Sequence, residues 1–305
     1  MLRKIFKWVG IVVGSLLGIA LVAVIVIYFM AEARLTKTYD IPDETVPIPA
    51  QVTTTARTWP LTAISFCEGC HGENLAGEVA LDDNIGRLAP PNLTSGKGGV
   101  GSWYTDADWV RSLRHGVRPS GKPLLGMPSE LWNKLGDEDL GIIIAYVKSV
   151  PPVDNELPKT ELRLVGHLML GVGMIPPGVI SAEVIDHAAP RPPEPERGVT
   201  VEYGKYLTRL CTICHGEDLS GGFLQGEGRN LTPAGDLAKW TEEDFIETMR
   251  TGIAPDGEEL DGELFPWEDL GQMTDDELKA IWLYLKSVPP AVSTPPPTRP
   301  PTPQE

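Results

Sequence analysis

The four cysteines of the chain fall into two matching settings, Cys67-Glu68-Gly69-Cys70-His71-Gly72 and Cys211-Thr212-Ile213-Cys214-His215-Gly216. Two thiols three positions apart in a helical turn can reach the vinyl groups on one edge of a porphyrin and close two thioethers. The next residue projects an imidazole at the iron from the face beneath. The spacing therefore predicts two covalently bound haem c groups, one on Cys67, Cys70 and His71 and one on Cys211, Cys214 and His215. Competing chemistries fit less well. A zinc ribbon sets its C-x-x-C pairs about 15–20 residues apart, whereas these lie 144 apart. A thioredoxin-type dithiol calls for a βαβ setting that the pattern lacks. Close pairs of this kind also do not resemble the disulfide framework of a small secreted domain.

The elements that must position these residues occur twice. "PNLTSG" at 91–96 answers "RNLTPA" at 229–234, and "TDADWVRSLRHGVRPSG" at 105–121 answers "TEEDFIETMRTGIAPDG" at 241–257. "AYVKSVPP" at 145–152 answers "LYLKSVPP" at 283–290. Each T-x-x-D opens an apolar run at helical spacing, as a capped helix start does. Each copy closes with a helix stopped by Pro-Pro. No segment alternates convincingly as a strand, so both copies read as all-α.

With these motifs in order, the chain resembles the class I c-type cytochromes: CxxCH on an N-terminal helix, a Pro-Asn-Leu-Thr loop, a middle helix, a Met-bearing loop and a C-terminal helix. It is similar in particular to di-haem, membrane-anchored bacterial cytochromes and to tandem-domain haem subunits that accept electrons from periplasmic dehydrogenases. The resemblance covers about 57–290. It implies an all-α fold of two tandem class I cytochrome c domains, 57–153 and 200–290, preceded by a single N-terminal transmembrane helix. Residues 1–31 are then the anchor, 32–56 an extended spacer, 154–199 an interdomain linker and 291–305 a disordered Pro-rich tail. Within the linker, an apolar stretch near 162–180 is expected to pack on one domain.

The copies part at the sixth ligand. A relay cytochrome holds its iron between His and Met, and "GKPLLGMPSELW" places Met127 in the family's Met-Pro loop. Counted back from the matched "SVPP" ends, Phe265 falls opposite Met127, with Pro266 kept. Met273 lies eight residues on, opposite Leu135, and stands either as a shifted ligand or as a buried staple of the last helix. Met249 is expected in the core. His115 reads as a surface or propionate-side residue. His167 and His187 could in principle reach an open iron.

Residues 2–7 carry Arg3, Lys4 and Lys7, and no charge follows until Glu32. At about 1.5 Å per residue those 24 uncharged positions cross a hydrocarbon core of about 30 Å, and exceed a signal-peptide core of about 7–15 residues. The alternative is a signal peptide cleaved at "AEA", 31–33. The early cations hold the amino terminus in the cytoplasm, which places the haem domains on the periplasmic side of the cytoplasmic membrane.

A formal net charge of −16 excludes a nucleic-acid partner. Residues 57–153 hold 11 acidic and 9 basic residues, whereas 200–290 hold 19 and 7, with seven acids crowded into 256–269. That patch suits steering of a basic redox partner, either a dehydrogenase, a quinol-oxidising complex or an oxidase. Nothing in the sequence suggests a nucleophile, an acid–base pair or a nucleotide loop. The expected function is single-electron relay rather than catalysis. The alternative is a di-haem peroxidase-like enzyme with an open second haem, for which Glu263 and Glu268 are the nearest acid–base groups.

Overall fold

A computed structural model describes residues 2–52, 59–191, 193–221, 228–262 and 265–292. The expected disordered tail falls, beyond Val292, outside these residues. Helices predominate, as the apolar periodicity requires. The first, α1 (Leu2–Thr36), is long and apolar enough to cross a membrane. It runs past residue 31, where the extended spacer was expected to begin, because its polar last turns find partners. Arg34 binds Glu183 through Nη2 at 2.6 Å and donates to the Leu170 carbonyl at 2.7 Å. Glu32 binds His167 Nε2 at 3.2 Å.

The chain forms two compact units. The first comprises Met1–Pro47, Glu68–Leu135 and Val147–Arg191, the second Ile48–Cys67, Gly136–Tyr146 and Pro192–Glu305. Helices α2 (Trp59–Thr62), α3 (Ser65–His71), α4 (Asp106–His115), α5 (Ser129–Trp132) and α6 (Asp137–Ser149) occupy the first sequence copy. After α7 (Leu164–Gly171) come α8 (Val201–Leu207), α9 (Thr212–His215), α10 (Glu242–Thr251), α11 (Trp267–Leu270) and α12 (Asp275–Ser287).

In the first unit, Thr105 and Asp108 close a reciprocal capping box on α4, and Gly116 ends that helix at φ 63°, a conformation that costs a β-carbon-bearing residue. Trp109, Val110, Leu113, Trp132 and Leu135 are buried around it. Three short antiparallel strands, β1 (Leu81–Asp82), β2 (Gly86–Leu88) and β3 (Glu161–Leu162), pair in that order, with Leu81 opposite Leu88 and Gly86 opposite Leu162. They were not anticipated, since two or three residues are too few for a legible alternation. The segment expected as a linker is folded over much of its length: β3, α7 and a 3-10 turn at Pro177–Glu183 lie within it. Its apolar stretch packs as anticipated, with Leu170 and Ile180 fully buried against Ala31 of α1.

In the second unit, α8 crosses α12 at Gly204, where a β-carbon would run into the carbonyl of Ala280. Thr274 and Glu277 form the capping box of α12. Trp59 is buried here, donating its indole N–H to the Leu207 carbonyl at 3.0 Å. The Tyr206 hydroxyl donates to the buried carboxylate of Asp139 and accepts from Gly136 N at 3.0 Å, a pairing in a desolvated place that holds the phenol well above its usual range.

Candidate functional site

Both attachment motifs are built alike. Cys67, Cys70 and His71 ride on α3; Cys211 ends a 3-10 turn that runs into α9, carrying Cys214 and His215. Gly72 and Gly216 then take φ 76° and 78°, freeing the chain to fold back. Leu75 N binds Gly72 O at 2.8 Å and Gly77 N binds His71 O at 2.7 Å. In the second copy, Leu219 N binds Gly216 O at 3.0 Å and Gly221 N binds His215 O at 2.8 Å. Leu75 and Leu219 are left-handed at φ 53° and 60°, a conformation costing about 1–2 kcal/mol for an L-residue. Both are buried, and the leucine amide of each Asn-Leu-Thr loop, Leu93 or Leu231, binds their carbonyls at 2.8 Å. Packing and that bond hold the unfavourable dihedral in both places.

The histidines are aimed by the same device. His71 Nδ1 lies 2.8 Å from the Pro91 carbonyl and His215 Nδ1 lies 2.6 Å from that of Arg229. A carbonyl only accepts, so Nδ1 carries the proton and Nε2 presents its lone pair, the arrangement a metal-bound imidazole requires. Burial lowers the pKa of both rings, keeping them neutral. The carbonyl-bearing loops are in turn tied down by their asparagines. Asn92 Nδ2 donates to Val153 O and Asn230 Nδ2 to Ala291 O, each at 2.7 Å, while each side-chain oxygen accepts from Thr94 or Thr232.

The residues present fit haem c. Burial, with Glu78 adding, raises the Cys70 thiol, and burial pushes Cys211 up to about 12. Redox dithiols instead need a lowered pKa. Among the described residues no three His, Cys, Asp or Glu side chains converge as a metal cage. The buried indole N–H of Trp132, one turn beyond Met127, has no hydrogen-bond partner among the described residues, as suits a donor whose acceptor arrives with a carboxylate-bearing group.

Met127 is half-buried, in a loop held by Gly126 N on Val179 O at 2.8 Å and by Ser181 Oγ donating to Met127 O at 2.5 Å. Its counterpart by local geometry is Phe265. Ser129 N binds Met127 O at 2.9 Å and Trp267 N binds Phe265 O at 2.7 Å. Pro128 and Pro266 share ψ 62° at the starts of α5 and α11. The bridges Val117–Pro123 and Ile253–Glu259 match upstream, so the two extra residues of the second copy lie between Glu259 and Phe265. Met273 is 3% exposed, its amide on the Leu270 carbonyl at 3.2 Å; Leu135 is 1% exposed, with the same bond to Trp132 at 3.1 Å. Met273 is thus buried at the place that Leu135 takes in the first copy. Met249 is buried on α10, as expected.

The remaining histidines are engaged elsewhere. His115 is not at the surface but buried, its Nδ1 3.0 Å from His187 Nδ1 and its Nε2 3.1 Å from Glu44; the apolar face of α4 carries it inward. His187 Nε2 meets the Ala182 carbonyl at 3.0 Å. His167 stacks on Tyr28 at 4.5 Å and uses both nitrogens, on Arg163 O and Glu32. None of the three offers a free nitrogen to an iron. Glu268 is exposed and lines an open acidic hollow with Asp261, Pro266 and Asp269; Glu263 lies outside the described residues. Sequence reasoning missed Trp132, the two anchoring carbonyls and the left-handed leucines. The repeated Asn-Leu-Thr was the only signal available for the carbonyls.

Comparison with known proteins agrees with this geometry. Residues 56–147 match the family model described as cytochrome C oxidase, cbb3-type, subunit III. The fructose dehydrogenase cytochrome subunit of Gluconobacter japonicus is 27% identical, over 81% of this chain and 55% of its own length. The cytochrome c subunit of alcohol dehydrogenase (quinone) from Gluconacetobacter polyoxogenes is 28% identical, over 73% and 53%. A protein named diheme cytochrome c-type from Cereibacter sphaeroides is 26% identical, over 73% and 82%. The chain spans about half the length of the two dehydrogenase subunits. The relatives found lend the peroxidase alternative no support. The attachment motifs, their aimed histidines and these likenesses together make the chain a c-type cytochrome, with an N-terminal helix suited to anchoring it in a membrane.

Proposed function

We propose that the chain relays single electrons from a membrane-associated dehydrogenase toward a terminal acceptor, using two haem c groups, one on each sequence copy. The observation that carries this reading is the twice-built anchor, Nδ1 on a loop carbonyl with Nε2 presented. The bound group supplies the one-electron couple. The chain's own residues set its environment. His71 and His215 would each hold the iron of one haem through Nε2, and Met127 would add a sulfur donor in the first copy. Phe265 offers no donor, and Met273 is committed to the core. The acidic residues of the second copy favour the oxidised, more positive state at that site and steer a basic partner toward it.

The likeness to cytochrome subunits of fructose and alcohol dehydrogenases supports a dehydrogenase as donor. The fold also supports retention of α1 as a single-span anchor. Cleavage at 31–33 would strip Ile27, Ala31 and Glu32 from the partners that α7 gives them. With Arg3, Lys4 and Lys7 at the cytoplasmic end, both haem-bearing copies lie on the extracytoplasmic side. A redox-titrated visible spectrum of the purified protein, with haem quantified per chain, tests the whole reading. Two haems, the first with the signature of sulfur ligation, are expected. One haem, or none, overturns it.

A further inference from the structure

Beside the end of α1 lies an apolar surface that neither electron transfer nor the haem loops require. Helix α7, with sequence LVGHLMLG, carries almost no polar side chain. Its Leu164 is 57% exposed, and in the turn that follows Val172 is 55% and Met174 67% exposed. Exposed side chains of this size in one stretch mark a surface awaiting an apolar partner.

The packing of α7 on α1 sets its depth. At Gly171 a β-carbon would meet the Ile27 backbone, with the Ile27 side chain at 2.7 Å. Leu170 is sealed against Ala31. His167, one turn earlier, reaches Glu32, and Arg34 pairs with Glu183. The polar pairs thus stand at residues 32–34 of α1, whereas the C-terminal end of α7 stands at residue 27. Five residues of helix separate Ile27 from Glu32, about 7 Å along the axis. Interfacial helices bury their apolar face about 5–10 Å into the headgroup–acyl boundary, and the two depths agree.

We propose that α7 and the turn Val172–Ile175 are inserted in the lipid surface beside α1, as a second, non-spanning contact with the bilayer. The occupant of this apolar face is lipid, because the face is continuous with the lipid-exposed side of α1. One helix leaves the attached unit free to tilt and spin; a second contact at fixed depth restricts both and sets which side of the first unit faces the membrane. The proposal rests on α1 spanning the bilayer, which resistance to alkaline carbonate extraction reports separately.

The test uses the full-length holoprotein in liposomes of phosphatidylcholine and phosphatidylglycerol, with no other protein present. Val172→Cys and Met174→Cys are compared with Val199→Cys, a site 44% exposed outside this patch, and with the unsubstituted chain as background. Insertion predicts that a hydrophilic maleimide labels the cysteines at 172 and 174 at least ten-fold more slowly than that at 199, and that urea abolishes the difference. It also predicts that a phosphatidylcholine with a diazirine in its acyl chain forms adducts within 164–175. Equal labelling rates without lipid adducts overturn the proposal even where carbonate extraction shows α1 inserted. A disulfide-linked dimer through Met174→Cys overturns it in favour of a second copy of the chain.

Discussion

The loops at Met127-Pro128 and Phe265-Pro266 have the same backbone and different chemistry. Both hand a carbonyl to the amide two residues on, and both hold their proline at ψ 62°. The thioether is present in one and absent in the other. The fold therefore keeps this loop whether or not it carries a thioether, and the difference is a single side chain laid over the same backbone. Other differences follow the same line. Pro91 gives its carbonyl to His71, but the corresponding carbonyl belongs to Arg229, whose guanidinium is engaged by Glu258 and Asp236. Trp132 and Leu135 stand opposite Leu270 and Met273.

Removing a proximal ligand is expected to have the largest effect. His71→Ala should abolish the first haem and His215→Ala the second, each leaving its sister. Haem per chain then falls by half in either variant. Loss of both haems from one substitution would show that the copies do not assemble independently.

The distal residues sharpen the contrast. Met127→Ala should lower the first potential by an amount on the order of tenths of a volt, within the roughly 0.8 V that axial ligands span, and Phe265→Met should raise the second. Potentiometric titration reads both. An unchanged first potential removes Met127 as a ligand, and an unchanged second one would mean that another residue already closes that site.

A smaller effect is expected at the crossing of α8 and α12. The contact at Gly204 is with the backbone of Ala280, which cannot rotate away, so Gly204→Ala should cost about 1–3 kcal/mol. The first copy has Pro60 at the matching place, so the loss should show in the second haem's thermal release and not in the first's.

The all-α character and the matched local geometry of the two C-x-x-C-H motifs were legible because their signals are local: a five-residue motif, a capping box, a helix-length apolar period. Phe265 could be matched to Met127 by counting, because the extra residues fall in one loop and the flanking turns survive. What sequence could not give depends on partners distant in the chain. The folding of 161–183 is set by Ala31 and Arg34, more than a hundred residues earlier. The burial of His115 depends on Glu44 and His187, 71 and 72 positions away. The anchoring carbonyls escaped for a different reason, since a backbone oxygen has no residue type.

That histidine provides the smallest and most selective difference between the copies. In the second, Thr251 replaces it and merely bonds the Glu247 carbonyl, in solvent. In the first, burial, with Arg114 and Arg111 adding, brings His115 down to about 4 from an ordinary 6.5. Glu44 does not offset this, because it is shared with the guanidiniums of Arg114 and Arg191. His187, facing it, is lowered too, chiefly by burial. With its folded-state pKa below its unfolded one, His115 takes up a proton in the unfolded chain first. Stability should therefore fall as pH drops from about 6.5 to about 4, and lose nothing more to this group below that. Unfolding midpoints of the full chain across this range should show the slope, and His115→Gln should flatten it. A slope that survives the substitution would move the acid sensitivity to other groups and leave the two copies alike in this respect.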